Sequence, residues 1–273
     1  MDTRTSRVKQ DTGKSPRNDR ASFPAPYFQK GIHFLTRIYC IFLPTLYSSL
    51  ISTPSILPRK LLMPLQPKTL AILGIADHGK VAAEIAQRNG YEVYFFDDEF
   101  PKEKKCGHWQ VVGNEQDLMK HGNKYDEIFV ALSHNKRRDL KLTQFKNLGF
   151  KIATLISKDA TVSNFCEIGV GAMIVANACI NYGTKIGEGT IINTGANIDH
   201  GCSIDDFVHI SPGVNIAAEV KVGNYSWIGI GSNLIHQISI GHTVITGAGA
   251  VILNDVPAEV TVVGCPAHIV RRK

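Results

Sequence analysis

Between Ile156 and Ile252 the apolar positions recur every six residues. Ile156, Val162, Ile168, Ile174, Ile180, Ile186, Ile192, Ile198, Ile204, Ile210, Ile216, Val222, Ile228, Leu234 and Ile240 stand on one lattice, which breaks at Thr246 and resumes at Ile252. A second lattice, four residues behind the first, runs from Ala172 through Thr184, Ala196, Cys202 and Val208 to Ala250. Its members are mostly small or β-branched. A period of six matches neither the 3.6 of a helix nor the alternation of a plain strand. It predicts a parallel β-helix: each six residues supply a short strand and a turn, and three such units close a triangular coil of about 18 residues. The aliphatic residue points into the prism and the small one fits beside the corner. Gly or Asx often follows the aliphatic residue, as in Ile168-Gly169, Ile186-Gly187, Val222-Gly223 and Ile240-Gly241. We assign to that position the left-handed backbone angles of the turn.

Upstream the pattern changes. Thr69–Leu73 reads as a buried strand that enters a glycine turn, Gly74 to Gly79, and then a helix from Lys80 to Asn89. Tyr91–Phe96 is the next strand, closing on Asp97-Asp98. Glu115–Lys120 reads as helix, Glu127–Leu132 as strand, Asp139–Asn147 as helix, and Phe150–Ile156 as a fourth strand leading into the coil. Strands alternating with helices predict a small parallel, Rossmann-like sheet. Ligands bind beyond the carboxyl ends of such strands, which here are the loop 74–79, the Asp97-Asp98 pair and the stretch Ser133 to Arg137. A glycine turn into a helix N-terminus suits a phosphate, and Asp97 can equally serve as a strand-end cap. The chain thus divides into 1–62, an α/β domain at 63–155, and a β-helix domain at 156–273.

The formal charge of +6 is not spread evenly. Residues 1–62 carry ten Lys/Arg against three Asp, so the remainder is close to neutral and the charge gives no reason to expect nucleic acid as a partner. Residues 1–30 are polar and patternless, as disordered segments are. The apolar run 38–51 has fourteen residues with Pro44 inside it, short of the ~20 that span a bilayer. Met63 precedes the first strand, and we read 1–62 as an extension outside the native fold, with weak membrane contact through 38–51 as the alternative. The six cysteines are scattered with no C-x-x-C pair, which fits a reducing, cytoplasmic setting rather than a disulfide or zinc framework.

From residue 63 onwards the chain resembles the sialic-acid O-acetyltransferase and UDP-4-amino-sugar N-acetyltransferase group of bacterial hexapeptide-repeat glycan enzymes. The resemblance is carried by Gly74-Ile-Ala-Asp-His-Gly-Lys80, by Phe96-Asp-Asp98, by Ile192-Asn-Thr-Gly-Ala-Asn-Ile-Asp-His200 and by Phe207-Val-His-Ile-Ser-Pro-Gly213. It continues through Asn254-Asp-Val-Pro257 and Val262-Val-Gly-Cys-Pro-Ala-His-Ile-Val270. It implies a left-handed coil, a homotrimer, and acetyl-CoA lying along the coil between subunits, with no metal. It also implies a sugar or nucleotide sugar held partly by the amino-terminal domain. His200 takes the position of the catalytic base, and histidine is the side chain whose free pKa lies closest to working pH. His78, Asp97, Asp98 and His209 fall at acceptor positions, and Asn193 at the acetyl end of the coenzyme. Ala218 follows His200 by 18 residues, one coil along and about 4.8 Å away, so its N–H is a candidate donor to the thioester oxygen.

Three positions depart from the family pattern. Asp77 stands where glycine is usual and would repel a diphosphate. Gly201 follows His200 where an acidic residue commonly orients the base, leaving Asp199 or Asp206 to substitute. Ala218 replaces a glycine but keeps its N–H. Two other readings are a zinc-dependent, carbonic-anhydrase-like β-helix trimer using His200, His236 and His242, and an inactive sugar-binding homologue.

Overall fold

The computed structural model describes residues 67–272. The amino-terminal part runs β1 (Lys68–Leu73), α1 (Asp77–Arg88), β2 (Tyr91–Phe96), β3 (Lys105–Cys106), β4 (Trp109–Gly113), α2 (Glu115–His121), β5 (Glu127–Val130) and α3 (Asn135–Asn147). The sheet order is β3-β4-β2-β1-β5, parallel except for the β3–β4 hairpin. β1 is apolar on both faces because both are covered, as parallel strands require. Leu70 and Ile72 pack with Ala82 and Ala86 of α1, whereas Ala71 and Leu73 pack with Leu118, Leu142 and Phe145 of α2 and α3.

Two helices begin earlier than the apolar pattern indicates. α1 starts at Asp77, inside the glycine turn, and α3 at Asn135, where the His134 ring accepts the Arg137 N–H at 3.3 Å. The expected strand Phe150–Ile156 is not one. Gly149 turns the chain at φ +82, Ile152 makes only an isolated bridge to Ile128, and Leu155–Ile156 already belongs to the coil. The fourth parallel strand is instead β4, beside β2, too short and too mixed in its alternation to stand out.

The rest is the left-handed parallel β-helix. Two-residue strands from β6 (Leu155–Ile156) to β22 (Val251–Ile252) stack into three faces, each strand pairing 18 residues on: Ile174, Ile192, Ile210 and Ile228 form one row. Both lattices point inward into one core. Its hydroxyls are satisfied: Thr184, Thr190, Ser226 and Ser232 each donate to a carbonyl at 2.7–3.1 Å. Thr246, where the lattice breaks, accepts the Gly229 N–H at 2.8 Å and meets Ser232 Oγ at 2.9 Å. The break is a paired polar contact, which costs little inside a core.

The glycines work differently from the expectation. Left-handed angles fall three residues after the aliphatic position, at fourteen successive turns from Gly171 to Gly249, and six of those residues are not glycine. Glycine directly after the aliphatic residue serves close stacking of coils. A Cβ on Gly169, Gly187, Gly223 or Gly241 would stand 2.4–2.6 Å from atoms of the next coil.

One corner carries the α/β domain. Gly171 leaves room for Leu142 of α3, and Gly189 for the ring of Phe207; a Cβ would meet them at 2.3 and 2.4 Å. Phe207 and Tyr225 hold φ +55 and +61 there and stack at 6.0 Å under α3. The strained angle costs about 1–2 kcal/mol, and burying a Phe side chain returns about 1.5–3 kcal/mol. The strands β23 (Val260–Gly264) and β24 (Ala267–Arg272) close the far end as a hairpin.

Candidate functional site

His200 follows the strand Asn197–Ile198 on a corner away from α3, with its side chain 58% exposed. Its Nδ1 lies 3.0 Å from Asp199 Oδ1, and the same oxygen accepts the His200 N–H at 2.8 Å and Asn181 Nδ2 at 3.1 Å. The His200 N–H, the His200 ring and Asn181 together hold the Asp199 carboxyl below its usual range. A carboxylate facing Nδ1 keeps the proton there and leaves Nε2 free as an acceptor. Gly201 cannot orient the ring, and the residue before His200 does. Asp206 is engaged elsewhere, accepting the Glu188 N–H at 2.7 Å. Gly201 itself takes φ +67, the left-handed turn position.

Ala218 sits one coil further on: the next N–H, of Glu219, donates to the His200 carbonyl at 3.0 Å. Among the described residues no acceptor faces the Ala218 N–H.

A second group lies on the coil face that α1 covers, just beyond the end of that cover. The outward column there reads Leu155, Met173, Ile191, His209, Trp227 and Ile245. The first three are buried with α1. His209 is buried against His78 (ring centroids 5.7 Å), stacks on Trp227 at 4.7 Å, and places Nε2 3.2 Å from Asn193 Nδ2. Burial, then the neighbouring Arg138 charge, lowers His78 to about 4. Burial, then His78 and Arg138, lowers His209 to about 3. Both rings are therefore neutral at working pH, and His78 Nε2 and His209 Nδ1 have no partner among the described residues.

Arg138, 1% exposed, joins the two domains. Its guanidinium donates to the carbonyls of Gly189, Leu132 and Ser133 at 2.6, 2.8 and 3.0 Å, to Asn135 Oδ1 at 2.9 Å, and to Phe207 at 3.3 Å. Asn135 in turn donates to the Tyr225 and Ser226 carbonyls at 3.0 and 3.2 Å. This clamp holds α3, and with it the α/β domain, against the coil that presents His209.

At the first loop, Asp97 accepts the Ile75 N–H at 3.1 Å and the Glu99 N–H at 3.0 Å, a strand-end cap that also braces the glycine turn. Asp98 Oδ1 lies 3.4 Å from the Glu115 nitrogen at the start of α2. Asp77 is almost fully exposed and paired with Lys80 at 3.0 Å. Gly79 is obligatory, since a Cβ would fall 2.1 Å from the Gly74 carbonyl oxygen.

The structure thus brings His78, His209 and Asn193 together, and separately sets Ala218 beside His200. Among the described residues no contact joins the two groups. A groove of about 500 Å³ runs along the coil face of Glu167, Lys185 and Ser203, as far as Asp206 and Asn224, and contains none of these residues. Among the described residues no cluster of three or more His, Cys, Asp or Glu could hold a metal, and no helix is long and apolar enough to cross a membrane. The run 38–51 and the rest of 1–62 lie outside the described residues. Arg138, Trp227 and Asn181 escaped the sequence reading because the partners that fix them across the fold are 16 to 69 positions away.

Residues 69–145 match the family described as PglD N-terminal domain. The acetyltransferase domain of PglB from Neisseria gonorrhoeae, solved with acetyl coenzyme A, is 37% identical over 75% of this chain and all of its own, with a TM-score of 0.72. The chain belongs to the hexapeptide-repeat sugar acetyltransferases. PerB from Caulobacter crescentus, solved with CoA and GDP-perosamine, is 31% identical over 76% of this chain and 99% of its own, with a TM-score of 0.71. WeeI from Acinetobacter baumannii, 22% identical over 74% of this chain and 100% of its own with a TM-score of 0.68, shows the shared fold. No curated protein matches the chain. As a member of this family the protein is an acetyl-CoA-dependent sugar acetyltransferase.

Proposed function

We propose that the protein N-acetylates the amino group of a nucleotide-linked amino sugar, with His200 as general base. The observation that carries this is the exposed His200 ring, fixed through Nδ1 by Asp199 and free at Nε2. N- rather than O-acetylation is favoured by relatives described as a perosamine N-acetyltransferase bound to GDP-perosamine. Two structures of that enzyme carry Asn or Ala in place of one histidine, which supports a histidine at the centre of the chemistry. Asp77 raises little obstacle to a diphosphate, because Lys80 pairs with it.

His200 Nε2 takes a proton from the amine as nitrogen attacks the thioester carbon. The Ala218 N–H faces the oxygen on which charge develops, where a fixed donor contributes most. His200 then returns the proton to the departing thiolate of coenzyme A. Holding both substrates against one base supplies much of the remaining acceleration. Neutral His78 and His209 line the acceptor side, and Asn193, 3.2 Å from His209 Nε2, meets the acetyl end of the coenzyme. Because they sit apart from His200 within one chain, the site is completed by a second copy in a homotrimer, His200 of one copy facing the histidine pair of the next. Residues 1–62 are dispensable in this reading.

The test is coenzyme A release by the chain with acetyl-CoA and a panel of UDP- and GDP-linked amino sugars alongside free sialic-acid-type sugars. Release with the nucleotide sugars only is expected. Release with the free sugars only would replace N- by O-acetylation, and silence across the panel would favour an inactive sugar-binding protein.

A further inference from the structure

The corner that carries His200 also carries the most exposed aromatic pair of the described residues. Stepping by one coil, that column reads Tyr182, His200, Ala218 and His236. The register is explicit in the backbone: the Gly201 N–H donates to the Tyr182 carbonyl at 3.0 Å, and Asn181, the residue before Tyr182, holds the carboxylate that orients His200. Tyr182 is therefore the neighbour of His200 on its N-terminal side, about 4.8 Å away along the stack. Phe165, one coil further, lies against it with ring centroids 5.0 Å apart. Tyr182 is 64% and Phe165 69% exposed. An aromatic pair of that size, its rings tilted by 47°, left in water has no packing role in the coil, whose core is complete beneath it.

The proposed chemistry assigns the C-terminal neighbour, Ala218, to the thioester oxygen. The acceptor amine must then approach His200 from the opposite side, which is the side of Tyr182. We infer that Tyr182 and Phe165 form a stacking platform for the acceptor, Tyr182 under the apolar face of the aminated sugar ring and Phe165 extending it away from the reacting nitrogen. Pyranose C–H faces pack on aromatic rings as other apolar surfaces do, and two adjacent rings give area at low entropy cost. A platform of this kind favours sugars whose lower face lacks polar groups, as in deoxy-sugars, and so sets specificity at a distance from the base.

This inference rests on the proposed function and deepens it. It is tested by steady-state kinetics of Tyr182→Ser, Phe165→Ser and Tyr182→Phe with acetyl-CoA and the nucleotide amino sugar that gives turnover. Both rings are exposed, so folding should be intact, which circular dichroism checks. The acceptor KM should rise about tenfold, or 1.4 kcal/mol, in each serine variant. The acetyl-CoA KM should be unchanged, and Tyr182→Phe should match wild type, because the ring and not the hydroxyl is used. Loss of ground-state contact alone raises KM at constant kcat. An unchanged acceptor KM in both serine variants, with wild type active, overturns this inference and leaves the function standing. A fall in particle mass by light scattering would show that the pair joins copies of the chain, and would overturn it as well. Absence of turnover by the wild-type chain overturns the function and the inference together.

Discussion

Replacing Arg138 by methionine should separate the α/β domain from the coil. Among the described residues the carbonyls of Gly189 and Phe207 accept no hydrogen bond besides that of Arg138. Methionine fills similar space but donates nothing, so it leaves two orphaned acceptors at about 1–3 kcal/mol each, together about 2–6 kcal/mol. Against this stands the charge. Burial pushes the Arg138 guanidinium down to about 9, the mark of a cation held without a close carboxylate, and methionine abolishes that cost. The net expectation is a loss of about 3 kcal/mol, the order found when one partner of a buried polar cluster is removed. Lysine should fare little better, because one ammonium cannot reach carbonyls on both sides of the domain junction. The assay is urea unfolding followed through Trp109 and Trp227, one in each domain. The Arg138→Met midpoint should fall, with the Trp109 transition preceding that of Trp227. A shift within about 0.5 kcal/mol of wild type, the range of an ordinary surface substitution, with coincident transitions, would refute the clamp.

Further outcomes follow from the same geometry. His200→Ala should abolish turnover while coenzyme binding by calorimetry is retained, and Asp199→Asn should lower kcat by about 10²-fold or more, since the amide no longer fixes the Nδ1 proton; unchanged kcat in either removes that residue from the mechanism. His78 and His209 bind protons near 6.5 when unfolded but only near 4 and 3 when folded. Stability should therefore be complete above about pH 6.5 and fall as pH drops towards 4, by up to about 1.4 kcal/mol per unit for each histidine. Urea midpoints at pH 7.5, 5.5 and 4.5 check this, and an equal slope in a His78→Gln/His209→Gln variant would exclude these rings as the source. Gly187→Ala, whose Cβ would stand 2.5 Å from the Asp205 carbonyl carbon, should destabilise more than Gly201→Ala, whose Cβ meets only Glu219 Cγ at 3.4 Å; comparison of melting midpoints decides it. Deleting 1–62 should leave coenzyme A release unchanged, and loss of folding would place that segment in the domain.

The period of six was legible because a stacked coil imposes one environment on every sixth side chain, so the fold is written in local repetition from Ile156 to Ile252. The glycine turn of 74–79 and the position of His200 were legible for a similar reason, since a turn is settled by residues next to one another. Other features were not local. The two kinds of glycine look alike in sequence, yet Gly187 is needed because the next coil passes within a bond length or two, whereas Gly201 supplies a backbone angle. Sequence named Asp199 and Asp206 alike as partners for His200, and the choice between them is tertiary: Asn181 from the previous coil holds Asp199 at the ring, while Asp206 accepts the Glu188 N–H. The clamp of Arg138, the burial that keeps His78 and His209 neutral, and the placing of Tyr182 beside His200 all join residues distant along the chain. Burial and stacking are properties of the packed whole, and they exist only once the α/β domain has closed over one corner of the coil.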